Sequence, residues 1–295
     1  MYELNQLAQN TFAIECPARM GLYRAAGGEG WLIDSGSDKD AAKKVLKILN
    51  TEGWRLAGVM CTHSHADHTG GCALLQERTG CRVFAPGAEY AFARWPHLEP
   101  SLLYGGYPFR ALRTKFLQAK PCEAELLTPD VLPNGLQMFP LPGHFLDMTG
   151  FRTADGVEFL ADCLSGEDIL KKYPVAFLYD VKAALATLAK VEQRKAALFV
   201  PAHAPVTQDI APLARLNRQT IEQVADLLVS MAEEPKSAEE IIARVFDHFG
   251  LAMDVTQNLL VGSTVRSYLA YLADEGRVTP LVQNNRLCFA AQKQE

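Results

Sequence analysis

The chain has no C-x-x-C spacing and an odd number of cysteines. Its seven, Cys16, Cys61, Cys72, Cys81, Cys122, Cys163 and Cys288, are scattered. They read as reduced thiols of a cytoplasmic protein rather than a disulfide framework. No apolar run approaches the roughly 18 residues of a membrane span, so no membrane partner is expected. The opening MYELNQLAQNTFAIE has neither a basic start nor an apolar stretch, and no signal peptide is expected there. Positive charge is short: 29 Lys and Arg stand against 34 Asp and Glu, a net of −5. Nucleic-acid binders neutralise phosphates with Lys and Arg, so nucleic acid is not the expected partner. What is present is ordinary for a soluble globular chain, with 48% hydrophobic and 21% charged residues. At 295 residues there is room for a large core and for more than one domain.

Histidine is also scarce, at seven in all, yet three sit together in CTHSHADHTGG. Before that stretch, TFAIEC, GLYRAA and GWLIDSG read as strands separated by turns. DKDAAKKVLKILNTEG has helical spacing closed by Gly53, and LAGVMC is a buried strand ending at the histidines. GGCALLQERTG reads as a helix and CRVFAPG as a strand. Residues 88–122 hold aromatics among Pro and Gly breaks and suggest a helical insertion with loops.

Strands resume at GLQMFPLPG, MTGFRTA, VEFLADC and ALFVPAH, with helices at DVKAALATLAKVEQR and IAPLARLNRQTIEQVADLLVSMAEE. Such alternation in two halves predicts two sheets covered by helices. EEPKSAEE is the best linker candidate. Beyond it, Ser237 and Glu240 have capping-box spacing, three helices are expected at SAEEIIARVFDHFG, DVTQNLL and GSTVRSYLAYLADEG, and a hairpin turns at Asn284-Asn285. The expected units are residues 1–232 and a winged-helix-like 236–295.

His63, His65, Asp67 and His68 fall within six positions. At a strand end, residues two apart point the same way, so His63 and His65 can converge on one point. Asp67 and His68, past the bend, can converge on a second. The Gly70-Gly71 pair is expected to let the backbone turn into the next helix. Imidazole and carboxylate are ligands for zinc, iron or manganese. His144 in LPGHFLD, Asp162 in FLADCLSG and His203 in FVPAHAP each follow an apolar run. Each can therefore sit at the same sheet edge. His97 and His248 are left over as structural or surface residues.

The ordered set THSHADH, PGH, the Asp of LADCLSG and PAH resembles the metallo-β-lactamase superfamily over about residues 1–230. That resemblance implies an α/β fold, an αββα sandwich with two metals at one edge, here followed by the small winged helix. It implies that His63, His65 and His144 hold the first ion and Asp67, His68 and His203 the second, with Asp162 bridging. The true β-lactamases place a cysteine ligand where this chain has Asp162. The bridging aspartate is the arrangement of the glyoxalase II and nuclease-like members. The glutathione-binding tail of glyoxalase II is not visible, which puts glutathione thioesters in doubt.

Two divalent ions, zinc first and iron or manganese as alternatives, would share a hydroxide that attacks the substrate. Asp67 would orient it. The expected function is hydrolysis of a small, anionic ester, thioester or lactone. The alternatives are a phosphodiesterase or single-strand ribonuclease, and a mononuclear iron oxygenase of the persulfide dioxygenase type. Tyr104, Tyr107 and Arg110 of the insertion are candidate substrate contacts, against the plainer reading of a solvated basic helix. Residues 236–295 carry 6 basic and 7 acidic side chains, too acidic for a DNA-reading module. Val265, Tyr268, Leu269 and Leu272 are expected to form a packing or homodimerising face.

Overall fold

The computed structural model describes residues 2–292; residue 1 and residues 293–295, the outer ends of the two expected units, lie outside them. The first sheet has seven strands in chain order. β1 (Glu3–Gln6), β2 (Thr11–Glu15), β3 (Met20–Arg24) and β4 (Gly30–Ile33) form an antiparallel meander. β5 (Leu56–Met60), β6 (Arg82–Ala85) and β7 (Ala124–Leu126) continue it in parallel. Helix α1 (Lys39–Glu52) links β4 to β5, and α2 (Ala66–Thr69) and α3 (Cys72–Thr79) link β5 to β6. The insertion before β7 is helical as expected, with α4 (Glu89–Arg94) and α5 (Leu98–Tyr104).

The second sheet holds β8 (Leu136–Pro140), β9 (Thr149–Thr153), β10 (Val157–Ser165) and β11 (Leu198–His203), in the order β11-β10-β9-β8. Between β10 and β11 run α6 (Glu167–Lys172) and α7 (Val181–Glu192), and α8 (Ala211–Met231) follows. The period-2 alternation of the strands decides the layers. Leu32, Val59 and Val83 pack outward on Val45 and Leu75 of the first-half helices. Their neighbours Ile33, Met60 and Phe84 pack inward on Phe151, Phe159 and Val200 of the second sheet. Leu160 and Phe199 face the other way, onto Leu188 and Leu228 of α7 and α8. Helix, sheet, sheet, helix is therefore the observed order, as the strand-and-helix alternation predicts.

The tail differs from expectation in two places. The candidate linker is ordered. Lys236–Ser237 forms strand β12 against Phe289 and Cys288 of β14 (Arg286–Ala291), and Ser237 caps α9 (Ala238–Phe249) with the reciprocal Glu240 bond. The expected second and third helices are one, α10 (Val255–Asp274). Gly262 does not break it. A mid-helix glycine costs only about 1 kcal/mol, while Leu259 and Val261 before it and Val265, Tyr268, Leu269 and Leu272 after it are all buried. β13 (Val278–Gln283) pairs with β14 around Asn284 and Asn285, both at positive φ, so the hairpin turns where expected. The tail is thus two helices and a three-stranded antiparallel sheet. Its buried face joins Leu228 and Met231 of α8 in one cluster. Among the described residues no helix is long and apolar enough to cross a membrane.

Candidate metal centre

Strand ends and the loops after them build the site. β5 ends at Met60 and the chain runs on through Thr62 and His63 into α2. Asp34, just past β4, adopts φ 62°, a left-handed conformation that non-glycine residues rarely hold. Its carboxylate accepts from the Thr62 N–H at 2.7 Å and the Thr62 hydroxyl at 2.9 Å. The Thr62 oxygen in turn faces His63 Nδ1 at 3.0 Å, and the second Asp34 oxygen faces His68 Nδ1 at 2.8 Å. One buried carboxylate therefore fixes two imidazoles, turning the Nε2 of each toward the centre.

His144 follows Gly143, which has φ 127° and no room for a Cβ, since one would fall 2.3 Å from the Ala184 backbone nitrogen. His144 Nδ1 donates to the Phe177 carbonyl at 3.1 Å, again freeing Nε2. Asp162 is aimed by a bulge: the β10–β11 register shifts on both sides of Ala161, which has φ 49°. His203 ends β11. The Gly70-Gly71 pair works otherwise than expected. Both have ordinary helical φ, and what they allow is close approach. A Cβ on either would lie 2.2–2.3 Å from the Ser37 or Ser35 carbonyl oxygen.

The seven candidates gather into two clusters, His63, His65 and His144 in one, and Asp67, His68, Asp162 and His203 in the other. In the first, His65 Nδ1 lies 3.1 Å from His63 Nε2 and 3.0 Å from His144 Nε2. Burial holds all three imidazoles below their ordinary pKa, His65 to about 3, so their lone pairs stay free. In the second, Asp162 lies 3.2 Å from His68 and 3.3 Å from His203. His203 is pushed up to about 10, chiefly by the Asp162 carboxylate. Asp162 also reaches to 3.7 Å from His144, so it touches both clusters.

This donor set fits divalent cations on a specific observation. His68 Nε2 and Asp162 Oδ1 are buried and face each other at 3.2 Å without the geometry of a hydrogen bond, and neither has another hydrogen-bond partner among the described residues. Such orphans are costly unless a cation completes them. The neutral imidazoles of the first cluster suit such a cation, and in the second a cation would take the place of the protons that the carboxylates draw onto His68 and His203.

The insertion contributes residues the sequence pattern did not single out. Glu89 is buried and accepts from the Ser64 N–H and hydroxyl and from the Asp147 N–H, while burial pushes its carboxyl up to about 7. Glu99, also buried, lies 3.8 Å from His65 Nε2. A cavity beside the clusters is lined by Phe116 and not by Tyr104, Tyr107 or Arg110. Tyr107 is 75% exposed and accepts from Arg113, and Tyr104 lines a separate cleft against α7 and α10. Position alone could not reveal this, because the insertion's loops decide which aromatic reaches the cavity, and Phe116 does so at its rim while as exposed as Tyr107.

Comparison with known proteins agrees with this geometry. Over 64 residues the chain is 45% identical to the hydroxyacylglutathione hydrolase of Rhodopseudomonas palustris, a match of 19% of this chain and 25% of that protein. The chain thus spans about a quarter of that relative's length. Its fold superposes on a metallo-beta-lactamase family protein from Thermus thermophilus with a TM-score of 0.72 at 20% identity, covering 95% of this chain and 94% of the other. For a beta-lactamase domain protein from Burkholderia ambifaria the values are 0.71 and 19%, over 98% and 94%. The family model matching residues 13–203 takes in all seven candidate ligands and both sheets except β1 and the start of β2, and the chain belongs to the metallo-beta-lactamase superfamily.

Proposed function

We propose that the protein is a metal-dependent hydrolase of a small ester, thioester or lactone, working with two divalent ions, zinc before iron or manganese. The observation that carries this reading is Asp162, buried between two ligand clusters and in reach of both. His63, His65 and His144 would hold one ion, and Asp67, His68 and His203 the other. When bound, such ions polarise a carbonyl and make water more acidic. The protein's own part is positioning. Asp67 has the most open side chain of the second cluster, 43% exposed, and faces the cavity. Its carboxylate can orient a water and accept its proton. Water's oxygen then bonds the acyl carbon, the C–O or C–S bond breaks, and the proton ends on the leaving group.

The relative named hydroxyacylglutathione hydrolase supports a hydrolase. The filled second cluster favours two ions over the single iron of the oxygenase reading. Against a nuclease stands the net charge of −5. We read 236–295 as a winged-helix-like unit added to a hydrolase unit of 1–232. Its own sheet and capping box support that division, although it has two helices where the pattern has three.

The test is elemental analysis of protein purified without added metal, beside His65→Ala and Asp162→Ala. Close to two ions per chain is expected, with ester hydrolysis, and both variants should lose metal and activity together. A single iron would move the reading to an oxygenase. No metal in the wild type would overturn it.

A further inference from the structure

The cavity beside the clusters holds about 500 Å³, within the range of small-molecule sites. One end is lined by Asp67, His144, Asp162 and His203, and the wall reaches the fully buried Tyr268 of α10. Apart from the candidate ligands, no Lys, Arg, Asp or Glu among the described residues lines it. Leu170 of α6, Phe177, Ile221 of α8 and Leu260 and Val261 of α10 are among the apolar residues of its wall. Two of the polar residues in the wall are spent within the protein. Asn217 accepts from the Ser165 N–H and donates to the Ser165 and Leu213 carbonyls, and the Thr220 hydroxyl donates to Leu216. The Ser165 and Tyr173 hydroxyls, the Gln257 amide and the Tyr268 hydroxyl are not so engaged among the described residues, and burial alone pushes the Tyr268 pKa up.

A charged group in this space would find no opposite charge beyond the centre itself, at a cost apolar contacts do not offset. An alkyl chain would gain from every methylene buried. We propose that the cavity takes an uncharged alkyl chain on the acyl half of the substrate, with Leu260, Val261 and Tyr268 of α10 closing its inner end. The tail of the chain then sets acyl specificity. A charged part of the substrate would lie outside, on the side of the insertion. The acyl assignment rests on the hydrolase reading; the alkyl site rests on the cavity alone.

Two readouts separate these. Calorimetric titration of the metal-loaded protein with methyl nonyl ketone, a neutral chain that cannot be hydrolysed, reads the cavity without catalysis. The kcat/KM values of acetyl, butanoyl, hexanoyl and octanoyl thioesters read the reaction. Saturable ketone binding is expected, with kcat/KM rising about fourfold per methylene until the cavity is full. Leu260→Trp should weaken ketone binding at least tenfold and lower the ratio of octanoyl to acetyl kcat/KM. Val261→Ser, a smaller change, should weaken the ketone as well if the tryptophan variant does not fold. Ketone binding with no ester hydrolysed would support the alkyl site and remove the hydrolase reading. Hydrolysis with a flat series would overturn the alkyl site and leave that reading standing. Absence of ketone binding in the wild type would overturn the site outright.

Discussion

Asp34 carries more of the centre than its position in the chain suggests. It is not a candidate ligand, yet it holds Thr62 by two bonds, reaches His63 through the Thr62 hydroxyl, and accepts from His68 directly. Partners of this kind fix ring orientation and raise ligand basicity, and their loss costs about 10- to 100-fold in metal affinity. Asp34→Ala should therefore weaken binding of at least one ion by that factor, read by competition with a chromophoric chelator. Unchanged affinity for both ions would mean that the fold alone orients the rings. The five histidine candidates were legible in the sequence because histidine is rare and ligand chemistry needs it, Asp67 because it stands among three of them, and Asp162 because it follows an apolar strand as His144 and His203 do. Asp34, Glu89, Glu99 and the Phe177 carbonyl were not, because their roles come from partners 25 or more residues away in the chain. An aspartate after a strand, or a glutamate on a short helix, has no local mark that sets it apart from a surface residue.

Among the elements, those whose signal is local came through. Helix α1 starts at Asp38 and ends at Gly53 in the left-handed conformation, and α9 starts at the Ser237 capping box. Where the outcome depends on packing, the pattern misled. Gly262 reads as a break, but the buried residues on both sides carry α10 across it. Residues 233–240 read as a linker because they are polar, yet Lys236 and Ser237 find a partner strand some 50 residues later. Ser237 now serves two elements, as edge strand and as helix cap. Ser237→Ala should cost about 1 kcal/mol through the lost cap, seen as a lower urea midpoint with an unchanged slope. A null effect would show that strand pairing, not the side chain, starts the helix.

For the whole molecule, the question is whether the tail is a separable module or part of the unit that holds the candidate centre. The residues in contact favour the second. Leu228 and Met231, at the end of α8, are buried in the same cluster as Ile241 and Val245 of α9 and Leu269 and Leu272 of α10. The cavity beside the candidate metal centre is walled on one side by the same α10. A chain ending at Ala232 would expose Leu228 and Met231 at roughly 1.5–3 kcal/mol each. For a protein of this size that corresponds to a fall in Tm on the order of 6–12 °C. The shortened chain should thus melt lower or aggregate, read by calorimetry against the full chain. An unchanged Tm would mean that the two units fold independently, with the shared cluster only a contact. A folded but less stable fragment is the most informative outcome, because it should still bind metal. All seven candidate ligands precede residue 232, whereas Leu260, Val261 and Tyr268 follow it. Such a fragment should therefore keep the centre while losing the discrimination among acyl chains that α10 would impose.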